Sequence, residues 1–424
     1  MNQPDNFLDQ RAMRSEEKIA FLSDKNSRKP QVVNLADLAD IANGRLPVNN
    51  SINDSALNGV MTLANTIGFI NNNRPKLIIL TLIILFIITI VLISIAFDRL
   101  GLKDRSCDRL YSIYGEKKTN KSYFNDRNNI TSDARLIFDN SNSTLINFLV
   151  KSAYNCCCGD GYKDNFVAIC ALEKCIANGC RFLDFEIYSY NNDPIVASSI
   201  ANSNYIKQTY NALLLSEVLA SVTENAFNKI ETNCANDPLI LNFRVMSTNL
   251  TMLEKMGNLF EEYLDRDDTE FKVTTYKDNT LLNSVKMSEL YKKIIIICDL
   301  NPDPNLIMNP KLAKLKTYIN LKGKGLECNT YRLNDIIAKG NRDNNPAFVT
   351  ETTRKYTIVL PNIIDNSISN FDSMNSIYFG CQAICMKHQQ DPTKDSNLEQ
   401  YNKFLFEDLR FVFGNYSWRY KGSF

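Results

Sequence analysis

The chain has 424 residues, with 48 Lys and Arg against 47 Asp and Glu, 12 Cys and a single histidine, His388. Near-zero net charge leaves no electrostatic footprint for a nucleic-acid partner. One histidine excludes any mechanism that needs two, whether a His-rich zinc site or a paired acid–base couple. At roughly 150 residues per domain, the length predicts two or three folded units with room for one large core. Asn makes up about one residue in eight and, with abundant Ile and Lys, reads as the coding bias of an AT-rich genome.

Residues 1–76 read as a cytoplasmic tail. The first 30 are charged and polar and predict disorder. Two short helical patterns follow, around Val33–Ile41 and Ala56–Ile67, each too short to fold alone. Leu77–Phe97 then runs for 21 residues without a charge. At 1.5 Å per residue that reaches about 30 Å, the thickness of a bilayer's hydrocarbon core. A core helix is shorter and keeps a polar face, and a signal peptide begins near residue 1. No second stretch qualifies, so the expectation is a single-pass protein anchored in the lipid bilayer.

Two signals orient it in opposite senses. Arg99, Lys103, Arg105 and Arg109 follow the span while Arg74 and Lys76 precede it, which taken alone places the carboxyl side in the cytoplasm. All 12 cysteines follow the span, as expected if only that side meets an oxidising environment. Glycosylation sequons at Asn120, Asn129, Asn142, Asn249 and Asn415 arise readily by chance in an Asn-rich chain. The cysteine placement is preferred, giving an extracytoplasmic carboxyl-terminal domain.

Residues 98–144 are rich in Asn, Asp, Ser and Lys and read as a juxtamembrane spacer. From Leu145 onward strand and helix patterns alternate. Asp164–Asn178 is an amphipathic helix closed by Gly179, and Arg181–Tyr188 a strand. Leu213–Ile230 is a helix, Pro238–Val245 a buried strand and Thr251–Leu264 a helix. Lys293–Leu300 (KIIIICDL) has the β-branched run of a strand buried on both faces. Strands at Tyr356–Leu360 and Ile377–Met386 and a helix at Leu398–Asp408 complete the series. Such alternation over about 280 residues predicts a single α/β barrel over 145–424.

Three fragments occur in order: SAYNCC (Ser152–Cys157), GCRFLDFEIY (Gly179–Tyr188) followed by DPIVASS (Asp193–Ser199), and DPLILNFRV (Asp237–Val245). Together they resemble the X region of phosphatidylinositol-specific phospholipase C, a TIM-barrel phosphodiesterase family. The SAYNCCC and DFEIYS wording is similar to phospholipase-C-like proteins of large DNA viruses. The resemblance implies a (β/α) barrel and a phosphoric diester hydrolase of lipid metabolism. In that family one histidine deprotonates the inositol 2-hydroxyl, a second protonates the leaving group, and Ca2+ on oxygen ligands stabilises the charge. Carried over residue by residue, the two histidines fall on Tyr154 and Ser198, and the glutamate closing the third fragment falls on Arg244. Asn155, Asp184 and Glu186 keep oxygen atoms at metal positions, with the acidic pair swapped in order. Each lost acid or base costs on the order of 10²–10⁴ in rate.

The expectation is therefore a pseudoenzyme, a catalytically degenerate barrel serving as a lipid- or phosphate-binding or structural module, its Ca2+ lost or weakly held. Arg244 would replace the cation by pairing with Asp184 or Glu186. A phosphoinositide or other phosphate headgroup would bind near Arg181 or Arg244. Two alternatives stand: an active metal-dependent phosphodiesterase using Asn155, Asp184 and Glu186, and a virion or cell-surface attachment scaffold. Among the cysteines, disulfides from Cys156–Cys158 to Cys381 or Cys385 are expected, with Cys298 a packed core thiol. Gly323 and Gly325 form no phosphate loop. The nearby Lys311, Lys314, Lys316, Lys322 and Lys324 read as a solvated face, and no Cys–His couple is assembled.

Overall fold

The computed structural model describes residues 54–115, 143–201, 206–228, 232, 234–265, 274–277, 281–362, 369–406, 412–413 and 417–423. The pattern around Val33–Ile41 and the sequons at Asn120, Asn129, Asn142 and Asn415 lie outside them. The chain divides into two units, residues 1–94 and 95–424. The Ala56–Ile67 pattern and the apolar run both fall in one helix, α1 (Asp54–Tyr114). It is long and apolar enough to cross a membrane. Its large apolar side chains from Ile78 to Phe97, Phe86 and Leu92 among them, are exposed, whereas a core helix would bury them.

Within the second unit the end of α1 packs tightly. Cys107, Leu110, Tyr111 and Tyr114 recur at helical spacing and form an apolar stripe that the polar composition of 98–144 conceals. Leu110 clusters with Ala168, Cys170 and Ala171. Arg109 pairs with Asp160 at 2.9 Å, and the Tyr114 hydroxyl donates to the carbonyls of His388 and Gln390. Cys107 is disulfide-bonded to Cys170. The expected bridges from Cys156–Cys158 do not form: those thiols, Cys381 and Cys385 are free and buried. Cys107, read as part of a spacer, is the half-cystine that reaches the folded unit.

The second unit alternates strands and helices: β1 (Phe148–Ala153), α2 (Ile169–Ala177), β2 (Phe182–Tyr190), β3 (Asp193–Ala197), β4 (Leu213–Leu214), α3 (Leu215–Asn225), β5 (Leu239–Val245), α4 (Leu250–Leu264), β6 (Thr274–Thr275), β7 (Lys293–Leu300), α5 (Ala313–Tyr318), β8 (Leu321–Lys322), β9 (Cys328–Arg332), α6 (Leu333–Ala338), α7 (Pro346–Thr352), β10 (Tyr356–Leu360), α8 (Met374–Tyr378), β11 (Ala383–Met386), α9 (Ser396–Phe406), β12 (Val412–Phe413) and β13 (Trp418–Tyr420). The parallel strands run in the order β7, β5, β2, β1, β11, β10, β9, with β6 and β8 both on the free side of β7. β2 pairs with β1, β5 with β2, β7 with β5, β10 with β9 and β11 with β10, and β11 returns to pair with β1. No ladder joins β8 to β9 among the described residues; the Thr330 hydroxyl reaches the Gly323 carbonyl there at 2.6 Å. The result is a curled parallel sheet flanked by helices, an α/β fold.

The central strands form as their composition dictates. Ile294–Ile297 of β7 and Leu239–Leu241 of β5 are wholly buried on both faces. α4 begins where Asn249 caps it, its Oδ1 accepting from the amides of Thr251 and Met252 while Nδ2 donates to Ser189 and Asn192. The one described sequon thus has its amide nitrogen committed. Three boundaries differ from the pattern. The helix expected over Leu213–Ile230 is α3, Leu215–Asn225, because Leu213 and Leu214 pair with Val196 and Ile195 of β3 as strand β4. α2 starts at Ile169 and not Asp164, because Val167 bridges to Cys158 and the Ala168 amide donates to the Cys157 carbonyl. The strand expected over Ile377–Met386 is α8, a turn at Gly380 with φ +81°, and only then β11. A left-handed glycine ends the helix there, and the apolar run straddles both elements.

Candidate functional site

The carboxyl ends of β1, β2 and β5 converge on one buried charge cluster. Alternate residues of a strand share a face, so Asp184, Glu186 and Tyr188 of β2 line up together, as do Asn242 and Arg244 of β5. The parallel register sets Asp184 beside Asn242 and Glu186 beside Arg244. Asn155, two residues past β1, adopts φ +43°, the left-handed region that Asn tolerates. That turn aims its amide at Asp184 and its side chain at the cluster. Ser198 follows β3 directly.

Arg244 is the hub. Its Nε and Nη2 donate to Asp184 at 2.8 Å each, Nη1 to Glu186 Oε1 at 2.7 Å, and Nη2 also to Asn155 Oδ1 at 2.7 Å. These four bonds occupy four of the five N–H groups a guanidinium carries. Asp184 also accepts from Asn242 Nδ2 at 2.8 Å and from the Asn155 amide at 3.1 Å. Glu186 also accepts from the Tyr188 hydroxyl at 2.9 Å, the Ser199 amide at 3.0 Å and Asn155 Nδ2 at 3.4 Å. Each carboxylate therefore takes four donors, about its full lone-pair capacity. Asp184, Glu186, Arg244, Asn155 and Ser198 are all buried. Burial alone would depress the guanidinium, but Asp184 and Glu186 hold it charged, well above its ordinary value.

Tyr154 and Ser198 are where the sequence places them, against this cluster. The Arg244 guanidinium lies 5.0 Å from the Tyr154 ring centre, and Tyr154 is itself buried. Burial pushes the Tyr154 phenol above its ordinary value despite Arg244 and Arg332 nearby, so it is a still poorer base near pH 7 than a free phenol. The Ser198 hydroxyl accepts from Asn155 Nδ2 at 2.9 Å. Arg332, at the end of β9, approaches the Tyr154 hydroxyl at 3.5 Å and donates to the Pro361 carbonyl at 2.8 Å. Arg181 is not part of the cluster: it precedes β2, about 10 Å along the strand from Asp184.

Three features escaped the sequence reading. Asn242 and Tyr188 share strand faces with Arg244 and Glu186, a signal the period-two pattern contains. Asp299 of β7, beside Arg244 in register, is buried and its carboxyl raised by burial, with Lys324 at 3.7 Å. Gly323 is glycine because a Cβ there would meet Asp299 Cβ at 2.6 Å, a packing reason for the LKGKG run. Lys314 pairs with Glu261 at 2.6 Å with both side chains partly exposed, as a solvated face would. A Cys–His contact does exist: Cys180 Sγ lies 3.4 Å from His388 Nε2. Burial pushes the thiol up and the imidazole down to about 3, so both are neutral and the pair lacks the thiolate a nucleophile needs.

Calcium fits this arrangement poorly. Hard cations need six to eight oxygen ligands, and here the carboxylate oxygens face a guanidinium and amide donors. Among the described residues no group of three or more His, Cys, Asp or Glu side chains is arranged to hold a metal.

No protein-family model and no curated protein sequence matches the chain. Solved structures do. PLC21 from L. pealei is 14% identical with a TM-score of 0.46, matching 62% of this chain and 36% of its own. A calcium-dependent phosphoinositol-specific phospholipase C from Pseudomonas sp. is 9% identical with a TM-score of 0.35, covering 68% and 99%. A putative glycerophosphodiester phosphodiesterase from Galdieria sulphuraria is 10% identical with a TM-score of 0.34, covering 60% and 98%. The chain is thus similar to phospholipase C and glycerophosphodiester phosphodiesterase structures. It spans little more than a third of the length of the L. pealei protein.

Proposed function

We propose that the chain is a single-pass membrane protein whose carboxyl-terminal unit is a phospholipase-C-like (β/α) barrel without hydrolytic activity, acting as a structural or binding module. The observation that carries this reading is the saturation of Asp184 and Glu186 by Arg244, Asn155, Asn242, Tyr188 and Ser199. A guanidinium stands among the oxygens that a catalytic cation would need, and Tyr154 and Ser198 offer no acid–base pair. Because four of its five N–H groups are taken, Arg244 supports a structural role better than a phosphate-binding one. The test uses the full chain in phosphatidylinositol bilayers with calcium. No headgroup release above a protein-free control is expected, with or without Asp184→Asn. Release that Asp184→Asn abolishes would restore the enzyme reading.

The carboxyl-terminal unit is read as extracytoplasmic, on a cell or virion surface. The Cys107–Cys170 contact supports that side being oxidising. Protein isolated from cells with thiols blocked should yield a Cys107–Cys170 linked peptide, and reduction should lower stability by about 4 kcal/mol for a loop of this length. Both cysteines recovered as blocked thiols would place the unit in a reducing compartment.

A further inference from the structure

The amino end of the sheet holds a charge that nothing in the Arg244 cluster accounts for. The backbone of Arg181 is committed: its amide donates to the Lys151 carbonyl at 2.9 Å and its carbonyl accepts from Ile240 at 2.7 Å. Its side chain is wholly buried, yet Nε, Nη1 and Nη2 have no hydrogen-bond partner. The guanidinium carbon stands 5.8 Å from the Phe227 ring centre. Asp237, two residues before β5, is also buried and leaves Oδ2 unpartnered, and among the described residues no ion pair joins it to Arg181.

The groups facing this region do not balance. Lys151 of β1 is a second buried amine, donating to the Asn178 carbonyl at 2.8 Å. Burial raises the Asp237 carboxyl to about 7 even with Arg181 nearby. Burial also raises the Cys180 thiol, and the Cys234 thiol to about 11, while His388 beside Lys151 stays neutral. Burial lowers the Lys151 amine as well, so at and below neutral pH the excess positive charge held away from water centres on Arg181. An unpaired buried ion is strongly disfavoured, and a guanidinium fork with three unpartnered nitrogens is a ready anion donor set. Arg181 is wholly buried and Asp237 nearly so, which favours a small inorganic anion over a lipid headgroup or other organic anion.

We infer that Arg181 holds a small inorganic monoanion of chloride size, buried at the amino end of the sheet and facing Asp237. Asp237 competes with it: an ionised carboxylate supplies the same negative charge, so anion binding weakens as Asp237 loses its proton.

The experiment follows thermal unfolding of the full chain in detergent at constant ionic strength, replacing sodium gluconate with chloride or bromide. The midpoint should rise saturably with either halide, and at lower halide concentration at pH 6 than at pH 8. Arg181→Met should abolish the halide dependence. That substitution can also prevent folding, so Asp237→Asn is the second variant. It keeps Arg181 and removes the competitor, and its half-saturating chloride at pH 8 should fall about tenfold below that of the unsubstituted chain, one pH unit above a carboxyl titrating near 7. Identical midpoints in gluconate and halide, or an Asp237→Asn variant with unchanged chloride dependence, would leave a water-bridged Arg181–Asp237 pair and overturn the assignment.

Discussion

Arg244→Ala should lower the folding stability of the full chain by about 3–5 kcal/mol, the range for breaking a buried ion pair from one side. The loss is large because of what remains. Without the guanidinium, Asp184 keeps only Asn242 and the Asn155 amide, and Glu186 keeps Tyr188, Ser199 and a long contact from Asn155. Two carboxylates would then sit buried side by side with no counter-charge. Lys at this position supplies a charge but not the fork that spans both acids, so Arg244→Lys should recover only part of the loss. The combination Arg244→Met, Asp184→Asn and Glu186→Gln removes all three charges together and should be less destabilised than Arg244→Ala alone. Calcium gives an independent check. The Arg244→Ala variant exposes two carboxylates and Asn155 to a common space, so millimolar calcium should raise its unfolding midpoint while leaving the unsubstituted chain unmoved. Chemical denaturation of the four proteins, with and without calcium, measures each effect. An Arg244→Ala variant within 1 kcal/mol of the parent would remove the hub role assigned to this residue.

What could be read ahead of the structure divides along physical lines. β5, β7 and β10 were legible because strands buried on both faces leave dense clusters of Ile, Leu and Val in sequence. The pairing of Arg244 with an acid was legible once the third fragment was aligned, since adjacent parallel strands put neighbouring fragments in lateral register. The saturation of both carboxylates was not, because it depends on Ser199, Asn242 and a left-handed turn at Asn155 that no periodicity encodes. Docking of residues 98–114 was hidden for a different reason: one face of a helix can be apolar while the segment as a whole is polar. The Cys180–His388 contact joins residues 208 positions apart, and only the closure of β11 onto β1 brings them together. Gly380 shows the remaining kind of miss, where an apolar run spans a helix end and a strand start and a single left-handed residue divides them.

His388 should govern part of the acid limb of stability. It is buried and neutral, its imidazole held down to about 3, first by burial and then by Lys151, with the Ser152 backbone opposing them. In the unfolded chain the same group titrates near 6.5. Between those values the unfolded state binds a proton that the folded state refuses, so stability falls as pH drops and is unaffected above about 7. From pH 6.5 to 4.5 the loss from this residue alone should reach about 2 kcal/mol, and by pH 3 about 4 kcal/mol, the slope approaching 1.36 kcal/mol per pH unit only between the two midpoints. His388→Gln carries no titrating group and should flatten the limb, while costing some stability at every pH through its lost contact with Cys180. The quantity to compare is the slope between pH 6.5 and 4.5, above the range where ordinary carboxylates dominate. A steeper limb in the parent than in the variant is the expected result; parallel curves would mean that the interior admits a protonated imidazole and that the surroundings of His388 are more polar than their burial indicates.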